Sequence, residues 1–204
     1  MARFFLIRHG LNDETGKILS ARKPGLHLNT TGREQAQRVA MHLAHEPIRA
    51  IYSSPMERAR ETAKPLAEKR GLEVQIDEGL NEFHFGDWTG CAFDAVDQIE
   101  ERQRFNHWRG GIRPPGGELA LEMQARVVSA IIHLSNQYAP DDTVACFTHA
   151  DPIRAVIAHF TSMPIDLYHR LEISPASLST VEVGDWGPRI LGMNLPAGEQ
   201  HWSG

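Results

Sequence analysis

Continuous apolar runs along the chain predict strands, because such runs are typical of strands that helices cover on both faces. Residues 4–7, 50–53 and 144–148 are runs of this kind. Residues 178–183 and 189–193 flank a Gly-Asp-Trp-Gly-Pro turn and predict a hairpin near the end of the chain. A weaker strand is predicted over residues 73–76.

Four further segments repeat apolar residues at helical spacing. Residues 31–34 and 54–57 each have the sequence of a capping box and predict the starts of the first two helices. Gly71 is expected to end the second helix. A third helix is predicted over residues 120–134, and a fourth over residues 151–160. Because strands alternate with helices, we predict an α/β fold: a three-layer α/β/α sandwich with a mostly parallel sheet.

Residues 80–117 interrupt this alternation and are rich in Gly, Pro, Phe and Trp. We interpret them as a small cap inserted over the edge of the sheet. The length of 204 residues suits one domain, so residues 1–204 are predicted to form a single domain that includes this cap. The cap aromatic residues are expected to pack against one another rather than to stack on a ligand. They are Phe83, Phe85, Trp88, Phe105 and Trp108.

Composition and charge exclude several classes of protein. The chain is 41% hydrophobic and 23% charged, as in ordinary globular proteins. A formal net charge of −5 argues against a general nucleic-acid-binding protein. The apolar run near the first residue is too short for a signal peptide or a membrane span. Two cysteines, Cys91 and Cys146, cannot form a disulfide framework, and we predict a cytoplasmic location with no nucleic-acid or membrane partner.

Unusual polar residues follow three of the predicted strands. Arg8 and His9 come directly after the first strand, Arg58 lies in the first turn of the helix after the second, and His149 follows residues 144–148. Open α/β sheets bind ligands at the carboxyl ends of their strands, where helix N-termini add free N–H groups. The sequence therefore predicts an anion site, such as a phosphate site, at this edge.

The residue types suit phosphoryl transfer, in which negative charge spreads over three equatorial oxygens. Arg8 and Arg58 offer planar guanidinium groups that match phosphate oxygens. A ring nitrogen of His149 and the amide of Ala150 are candidate further donors. His9 is the candidate nucleophile. Because two arginines can neutralise the charge, we predict that no metal is required.

Proton transfer requires one more group, since the leaving oxygen needs a proton and the attacking water must lose one. Glu82 is the best candidate for both steps. Its aromatic neighbours in the sequence would raise its pKa, whereas nearby arginines would lower it. The direction of the shift stays open at this point.

Five motifs in this order resemble the histidine phosphatase (phosphoglycerate mutase-like) superfamily, in its phosphatase branch. They are Arg8-His9-Gly10, Ser53-Ser54-Pro55-x-x-Arg58-Ala59-x-x-Thr62-Ala63, Leu80-x-Glu82-x-x-x-Gly86-x-Trp88-x-Gly90, Pro115-Gly116-Gly117-Glu118 and Thr148-His149. The resemblance spans nearly the whole chain and implies a three-layer α/β fold without a cofactor. It also implies that His9 is phosphorylated, that Arg8, Arg58 and His149 hold the phosphate, and that Glu82 is the acid/base.

The chain departs from that family's pattern near the site. Asn12 and Thr15 are candidates to replace an asparagine that commonly contacts the phosphate. In a loop that resembles the family's Gly-Arg-x-Pro-Gly segment, Ala21 replaces glycine, and Arg22 is a candidate contact for the other end of the substrate. Asp151 follows Ala150 where an acid could oppose an anion, and we expect its side chain to cap the next helix instead.

The leading hypothesis is hydrolysis of a phosphate monoester through phosphohistidine. Phosphoglycerate mutation is an alternative, although mutases of this superfamily resemble a longer chain with more material around the phosphohistidine. A non-catalytic phospho-ligand-binding module is the other alternative, but binding alone requires neither His9 nor Glu82. A small phosphorylated metabolite is the expected substrate, with a phosphoprotein as the second candidate. Specificity is expected from the 11–25 loop, the cap and Arg113.

Overall fold

The computed structural model describes residues 1–198, so the last six residues of the predicted domain, 199–204, lie outside the described residues. Within these residues the strands are β1 (Ala2–Arg8), β2 (Ile48–Ser53), β3 (Val74–Ile76), β4 (Thr143–Thr148), β5 (Ser177–Gly184) and β6 (Gly187–Pro196). They form one sheet in the order β3-β2-β4-β1-β5-β6. The first four strands of that order are parallel to one another, whereas β5 is antiparallel to both of its neighbours, β1 and β6. The predicted mostly parallel sheet and the terminal hairpin are both confirmed.

Helices cover both faces of the sheet. They are α1 (Thr30–His42), α2 (Glu57–Arg70), α3 (Phe93–Val96), α4 (Glu100–His107), α5 (Ala120–Ser135) and α6 (Ala150–Phe160). Alternate side chains of β1 point to opposite layers. Phe4 and Leu6 join the apolar core formed with α5 and α6, whereas Phe5 and Ile7 join the core formed with α1 and α2. The predicted three-layer sandwich is confirmed.

The start of α1 differs from the prediction. Asn29, not Thr31, is the N-cap residue, and its side-chain oxygen accepts a hydrogen bond from the amide of Gly32 at 2.9 Å. The backbone of Asn29 is extended, with φ −78° and ψ −177°, so the helix begins one residue before Thr31. Thr31 therefore lies inside the first turn.

The predicted capping box at the start of α2 is also wrong. Ser54 extends β2 by one further ladder bond, since its amide donates to the carbonyl of Phe147 at 2.9 Å. The helix can therefore begin only later, at Glu57, after Met56 in an extended conformation. Gly71 ends α2 in the left-handed conformation, with φ +64°, as predicted.

The 80–117 segment begins at the end of a 3-10 turn (Glu78–Leu80) and contains a second 3-10 turn (Gly86–Trp88), α3 and α4. Its aromatic rings pack together. The ring centroids of Phe85 and Trp88 lie 5.8 and 5.7 Å from that of Phe105. The Arg102 guanidinium, which the sequence reasoning missed, lies 5.4–5.7 Å from the same three rings. Trp108 was predicted wrongly: it is 58% exposed, because α4 ends before it and its ring lies over Gly111 at the surface.

Both cysteines of the described chain are free thiols. Cys146 is buried in β4, where burial raises the pKa of the thiol, and Cys91 is half-buried. Within residues 1–198, no helix has both the length and the apolar character that crossing a bilayer requires.

Candidate active site

The carboxyl ends of three parallel strands lie level with one another. Arg8 of β1 pairs with Thr148 of β4, and Ser53 of β2 pairs with Phe147. The ladder continues one step further, because the amide of His9 donates to the carbonyl of Thr148 at 3.0 Å. The residues that immediately follow these strands, including His9 and His149, therefore share one edge of the sheet.

His9 is 5% exposed, and its hydrogen bonds define its tautomer. Its Nδ1–H group donates to the carbonyl of Gly10 at 2.8 Å, which leaves the lone pair on Nε2. The Nε–H group of Arg58 lies 3.2 Å from that nitrogen. Burial, followed by the charges of Arg58 and Arg8, holds the pKa of His9 well below its ordinary value. The imidazole is therefore neutral at neutral pH, and its Nε2 lone pair accepts the hydrogen bond from Arg58.

Gly10 lets the loop after β1 approach α1 closely. A Cβ atom at residue 10 would lie 2.6 Å from the carbonyl oxygen of Gly32 in the first turn of α1. The amide of Gly10 also donates to the Thr62 hydroxyl of α2 at 3.0 Å. Two helices thus fix the backbone that carries His9.

Arg58 is 2% exposed and joins the two histidines. Its Nη2 group donates to the carbonyl of Ala21 at 2.6 Å and to Nδ1 of His149 at 3.2 Å. Ala21 has φ +44°, the left-handed conformation that favours the glycine found in similar loops. Nη1 of Arg58 is buried and has no hydrogen-bond partner among the described residues.

Arg8 provides a second unused donor. Its Nη1 group donates to the carbonyl of Ile173 at 2.6 Å, whereas its buried Nε–H group has no partner within residues 1–198. A buried N–H group without a partner costs free energy, on the order of 1–3 kcal/mol. Two such groups on guanidiniums beside one cavity favour an anionic ligand with several acceptor oxygens, such as phosphate.

His149 is fully buried, and both of its ring nitrogens are engaged. Because Arg58 can only donate, Nδ1 of His149 accepts, and its Nε2–H group donates to the hydroxyl of Ser54 at 2.8 Å. Burial and the charge of Arg58 lower the pKa of His149 well below its ordinary value. The predicted donation from His149 to a phosphate is therefore not available to the neutral ring in this arrangement. The sequence reasoning also missed Ser54 as its partner.

Glu82 lies beside the two histidines. Its Oε1 atom accepts from the amide of Phe83 at 2.8 Å, and its Oε2 atom lies 3.7 Å from Nδ1 of His149. The pKa of Glu82 is raised to about 7, first by burial and then by the carboxylate of Asp151, while Arg58 opposes both effects. Of the opposing influences in the sequence, burial is therefore the stronger.

Arg8, His9, Arg58 and Glu82 line a cavity of about 160 Å³, together with Ala150, Asn12 and Thr15, whereas His149 lies behind Arg58 and does not line it. Asn12 is buried, and its side-chain oxygen accepts from the amide of Glu14 at 3.0 Å. The hydroxyl of Thr15 accepts from the amide of Asn12 at 3.3 Å. Both residues therefore shape the loop at the cavity wall. Within residues 1–198, the structure brings together no group of three or more His, Cys, Asp or Glu side chains that could hold a metal ion.

The sequence pattern of the Histidine phosphatase superfamily (branch 1) matches residues 4–196. The chain belongs to this superfamily. The match runs from β1 to the end of β6 and includes every residue of the cavity described above.

Relatives in the histidine phosphatase superfamily have several names. Phosphoglycerate mutase-like protein 4 of Arabidopsis thaliana is 32% identical over 160 residues, 76% of this chain and 69% of that protein. Glucosyl-3-phosphoglycerate phosphatase of Mycolicibacterium vanbaalenii is 31% identical over 172 residues, 80% of this chain and 76% of that protein. Some mycobacterial relatives are longer, and matches at 32% identity cover 50% of their length.

A solved structure shares the fold. A mutant of phosphoserine phosphatase from Entamoeba histolytica, in complex with phosphoserine, has a TM-score of 0.86 and 25% sequence identity. The superposition covers 95% of this chain and 97% of that one. The agreement extends over the whole α/β/α sandwich.

Asp151 does not cap α6, contrary to the prediction. The N-cap residue is His149, which makes no side-chain cap bond, and Asp151 is the second residue of the helix. Its carboxylate instead accepts from Nη1 of Arg154, one turn later, at 3.0 Å. Both side chains line the cavity. The sequence reasoning missed Arg154, for which the i,i+3 spacing from Asp151 was the available signal.

Arg22 lies outside the cavity lining, contrary to its predicted contact with substrate. Its Nε–H group donates to the backbone carbonyl of Glu82 at 2.7 Å, so the guanidinium is engaged by protein. Arg113, another predicted specificity residue, pairs with Glu122 at the surface, at 2.6 Å, and likewise does not line the cavity. The lining of the cavity instead includes Arg154, Phe85 and Phe93 of α3.

Proposed function

We propose that this protein is a phosphatase that hydrolyses a phosphate monoester by transferring the phosphoryl group to Nε2 of His9 and then to water. The observation that carries the proposal is the tautomer of His9. Its Nδ1–H group is bound to the carbonyl of Gly10, and its Nε2 lone pair lies against Arg58 at the cavity. A neutral, buried imidazole with a fixed lone pair is suited to nucleophilic attack on phosphorus.

In the first step, the Nε2 lone pair of His9 forms the N–P bond while the bond from phosphorus to the leaving oxygen breaks. The carboxyl group of Glu82 gives its proton to that oxygen and becomes a carboxylate. The unused N–H groups of Arg8 and Arg58 would bind the equatorial oxygens, where negative charge develops. The alcohol then leaves.

In the second step, the Glu82 carboxylate takes a proton from a water molecule as the water oxygen forms its bond to phosphorus. The N–P bond breaks, its electron pair returns to Nε2 of His9, and inorganic phosphate is released. A pKa of about 7 suits this double role, because neither the acid nor the base form of Glu82 is strongly disfavoured near neutral pH.

The mechanism we propose does not depend on a metal ion. Arg8 and Arg58 supply two fixed positive charges, each with a buried N–H group that lacks a partner among residues 1–198. Vanadate, which resembles a phosphoryl group in transfer, should inhibit the enzyme, and EDTA should leave its activity intact. Loss of activity with EDTA that a divalent ion restores would contradict this part of the proposal.

We propose a small phosphorylated metabolite as the substrate. The cavity of about 160 Å³ is small, and relatives include a glucosyl-3-phosphoglycerate phosphatase and a phosphoserine phosphatase. Phe85 and Phe93 contribute apolar side chains to the cavity, and the Asp151–Arg154 ion pair contributes charged groups that could bind the rest of a polar substrate. A screen of phosphorylated metabolites with purified protein, with a phosphoserine peptide as the comparison, tests this choice.

Two further proposals concern organisation and location. We propose that the chain is a single domain with residues 80–117 as its cap, because Phe83 and Phe105 of this segment share one apolar core with α5 and α6. A cytoplasmic location is proposed from the free thiols of Cys91 and Cys146, and cell fractionation tests it.

The central experiment compares wild type with His9→Ala on p-nitrophenyl phosphate. Loss of the nucleophile should reduce kcat by at least about a thousandfold. His45→Ala removes an exposed histidine and should match wild type. Rapid quenching with radiolabelled substrate should also trap an alkali-stable, acid-labile phosphoryl adduct in wild type only. Equal rates for wild type and His9→Ala would contradict catalysis by His9 and favour a phospho-ligand-binding module.

Phosphoglycerate mutation is tested separately. Wild-type protein is incubated with 3-phosphoglycerate and with 2,3-bisphosphoglycerate as primer. Release of inorganic phosphate without 2-phosphoglycerate supports hydrolysis. Formation of 2-phosphoglycerate faster than release of phosphate would overturn the phosphatase proposal in favour of the mutase.

A further inference from the structure

One carboxylate oxygen of Glu118 accepts hydrogen bonds from three donors. Oε1 accepts from Nη2 of Arg22 at 3.0 Å, from Nη2 of Arg126 at 2.9 Å and from the amide of His84 at 2.9 Å. The side chain of Glu118 is only 16% exposed, and those of Arg22 and Arg126 are 28% and 23% exposed. Charge-assisted hydrogen bonds of this kind are stronger than neutral ones, and partial burial limits their screening.

The same two arginines also bind the backbone of Glu82. The Nε–H group of Arg22 donates to the Glu82 carbonyl at 2.7 Å, and Nη2 of Arg126 donates to it at 3.3 Å. Nη1 of Arg126 donates to the carbonyls of Gly79 and Asn81 at 2.8 and 3.0 Å. Each guanidinium thus joins Glu118 to the peptide unit of Glu82.

The Pro-Gly-Gly-Glu motif, residues 115–118, makes close backbone contacts with residues 84–86, which follow Glu82. The amide of Glu118 donates to the carbonyl of His84 at 2.9 Å, so Glu118 binds both backbone polar groups of His84. A Cβ atom on Gly117 would lie 2.4 Å from that carbonyl oxygen, and one on Gly86 would lie 2.0 Å from the carbonyl oxygen of Pro115. Glycine at both positions is what lets the two backbones meet.

We propose that Glu118, Arg22 and Arg126 are positioning residues that hold the carboxyl group of Glu82 at the distance and angle required for proton transfer. This inference rests on the proposed function, in which Glu82 is the acid/base. Glu82 lies in a stretch without helix or strand, so no ladder of backbone hydrogen bonds fixes it. None of the three positioning residues lines the cavity, so we expect them to affect the reaction through the segment that carries Glu82.

The negative charge of Glu118 is essential to this arrangement. Arg22 and Arg126 are close enough that the charge of Arg126 lowers the pKa of Arg22, whereas the charge of Glu118 raises it. Without the carboxylate, two guanidiniums would repel each other beside one carbonyl oxygen. We expect them to separate and the Glu82 segment to shift. A displacement of about 1 Å at a reacting group can cost about a hundredfold in rate.

The test uses two substrates that differ in their need for an acid. p-Nitrophenyl phosphate has a leaving group that departs without a proton, whereas glycerol 2-phosphate requires one. Because Glu82 is also the base of the second step, which both substrates share, the quantity to compare is kcat/KM, which reports the first step. Glu118→Gln should reduce kcat/KM on glycerol 2-phosphate by about tenfold or more, with a much smaller reduction on p-nitrophenyl phosphate. The affinity for vanadate should stay as in wild type, because Arg8, His9 and Arg58 are untouched.

The matched control is Glu122→Gln, the same substitution four residues later, in an ion pair with Arg113 at the surface. It should behave as wild type on both substrates. Arg22→Lys keeps the positive charge but cannot join Glu118 to Glu82 in the same way, and should show a weaker form of the Glu118→Gln effect. This milder variant keeps the test informative if Glu118→Gln folds poorly.

A double-mutant cycle separates this inference from the proposed function. In a Glu82→Gln background, Glu118→Gln should add no further substrate-dependent loss, because the group it positions is gone. If Glu118→Gln lowers the rates on both substrates equally, or weakens vanadate binding in parallel, the positioning role is wrong. If Glu82→Gln alone shows no difference between the substrates, the acid/base role in the proposed function is wrong instead.

Discussion

The two halves of the candidate site are held by different means. Arg8, His9 and His149 lie at or immediately after strand ends, where sheet register determines their positions. Glu82 lies in an irregular segment and is held by side chains that come from distant parts of the chain, above all Arg22 and Arg126. The phosphate-binding half is therefore part of the scaffold, whereas the proton-transfer half is attached to it.

This difference predicts separable failures. Damage to the strand-end half should affect every substrate, because all substrates share the phosphoryl group. Damage around Glu82 should slow the phosphorylation of His9 mainly by substrates whose leaving group requires a proton. Because side chains rather than the sheet hold Glu82, the residues around it can be substituted without any change in the sheet.

The largest expected effect that separates the halves comes from Arg58→Met. This change removes the donor Nη1 and the link between His9 and His149, so kcat should fall by about a hundred- to a thousandfold on every phosphate monoester. Arg60→Met alters an exposed residue of the same helix and should leave the rates unchanged. Steady-state rates on both test substrates provide the measurement. A loss confined to glycerol 2-phosphate would contradict the proposed difference between the two halves of the site.

Glu82→Gln should give the next largest effect, and a selective one. The amide cannot supply a proton, so the rate on glycerol 2-phosphate should fall by about a hundredfold, and the rate of His9 phosphorylation by p-nitrophenyl phosphate far less. The burst of p-nitrophenol in stopped flow measures that step directly. Equal losses on the two substrates would mean that Glu82 binds phosphate rather than transferring a proton.

Asp151→Asn should change the pH dependence more than the maximal rate. The Asp151 carboxylate raises the pKa of Glu82, so its removal lowers that pKa, and Glu82 then loses its proton at lower pH. Wild-type activity on glycerol 2-phosphate should decline as pH rises through about 7, and the variant should decline earlier. Asp87→Asn, at an exposed residue of the cap, is the control and should keep the wild-type profile.

Ala21→Gly should have the smallest effect, and only on stability. A left-handed alanine costs about 1 kcal/mol, but the greater freedom of glycine in the unfolded chain and the loss of the buried Ala21 methyl group together offset about as much, so the free energy of unfolding should change by less than about 0.5 kcal/mol. Urea denaturation measures the change. The kcat should stay as in wild type, because the Ala21 contact with Arg58 uses the backbone carbonyl.

Sequence patterns predicted the strand-end half well, because it depends on local signals. Apolar runs located the strands, and their carboxyl ends brought Arg8, His9 and His149 to one edge of the sheet. Helix starts were less predictable, since Ser54 could either cap a helix or extend β2, and only the paired strand decides between these. The direction of the Glu82 pKa shift depends on burial, which the sequence does not give. The position of Arg22 likewise depends on contacts with residues far away in the chain.

The place of β1 in the sheet has a consequence for synthesis on the ribosome. This strand carries the candidate nucleophile near the beginning of the chain, yet its two neighbours are β4 and β5, with Arg3 paired to Thr143 and to Glu182. Contacts this distant form late and slow folding. A nascent chain must therefore hold an incomplete sheet until residues near 184 emerge. A fragment that ends before residue 177 would lack β5, and one that ends before residue 143 would lack both flanking strands of β1.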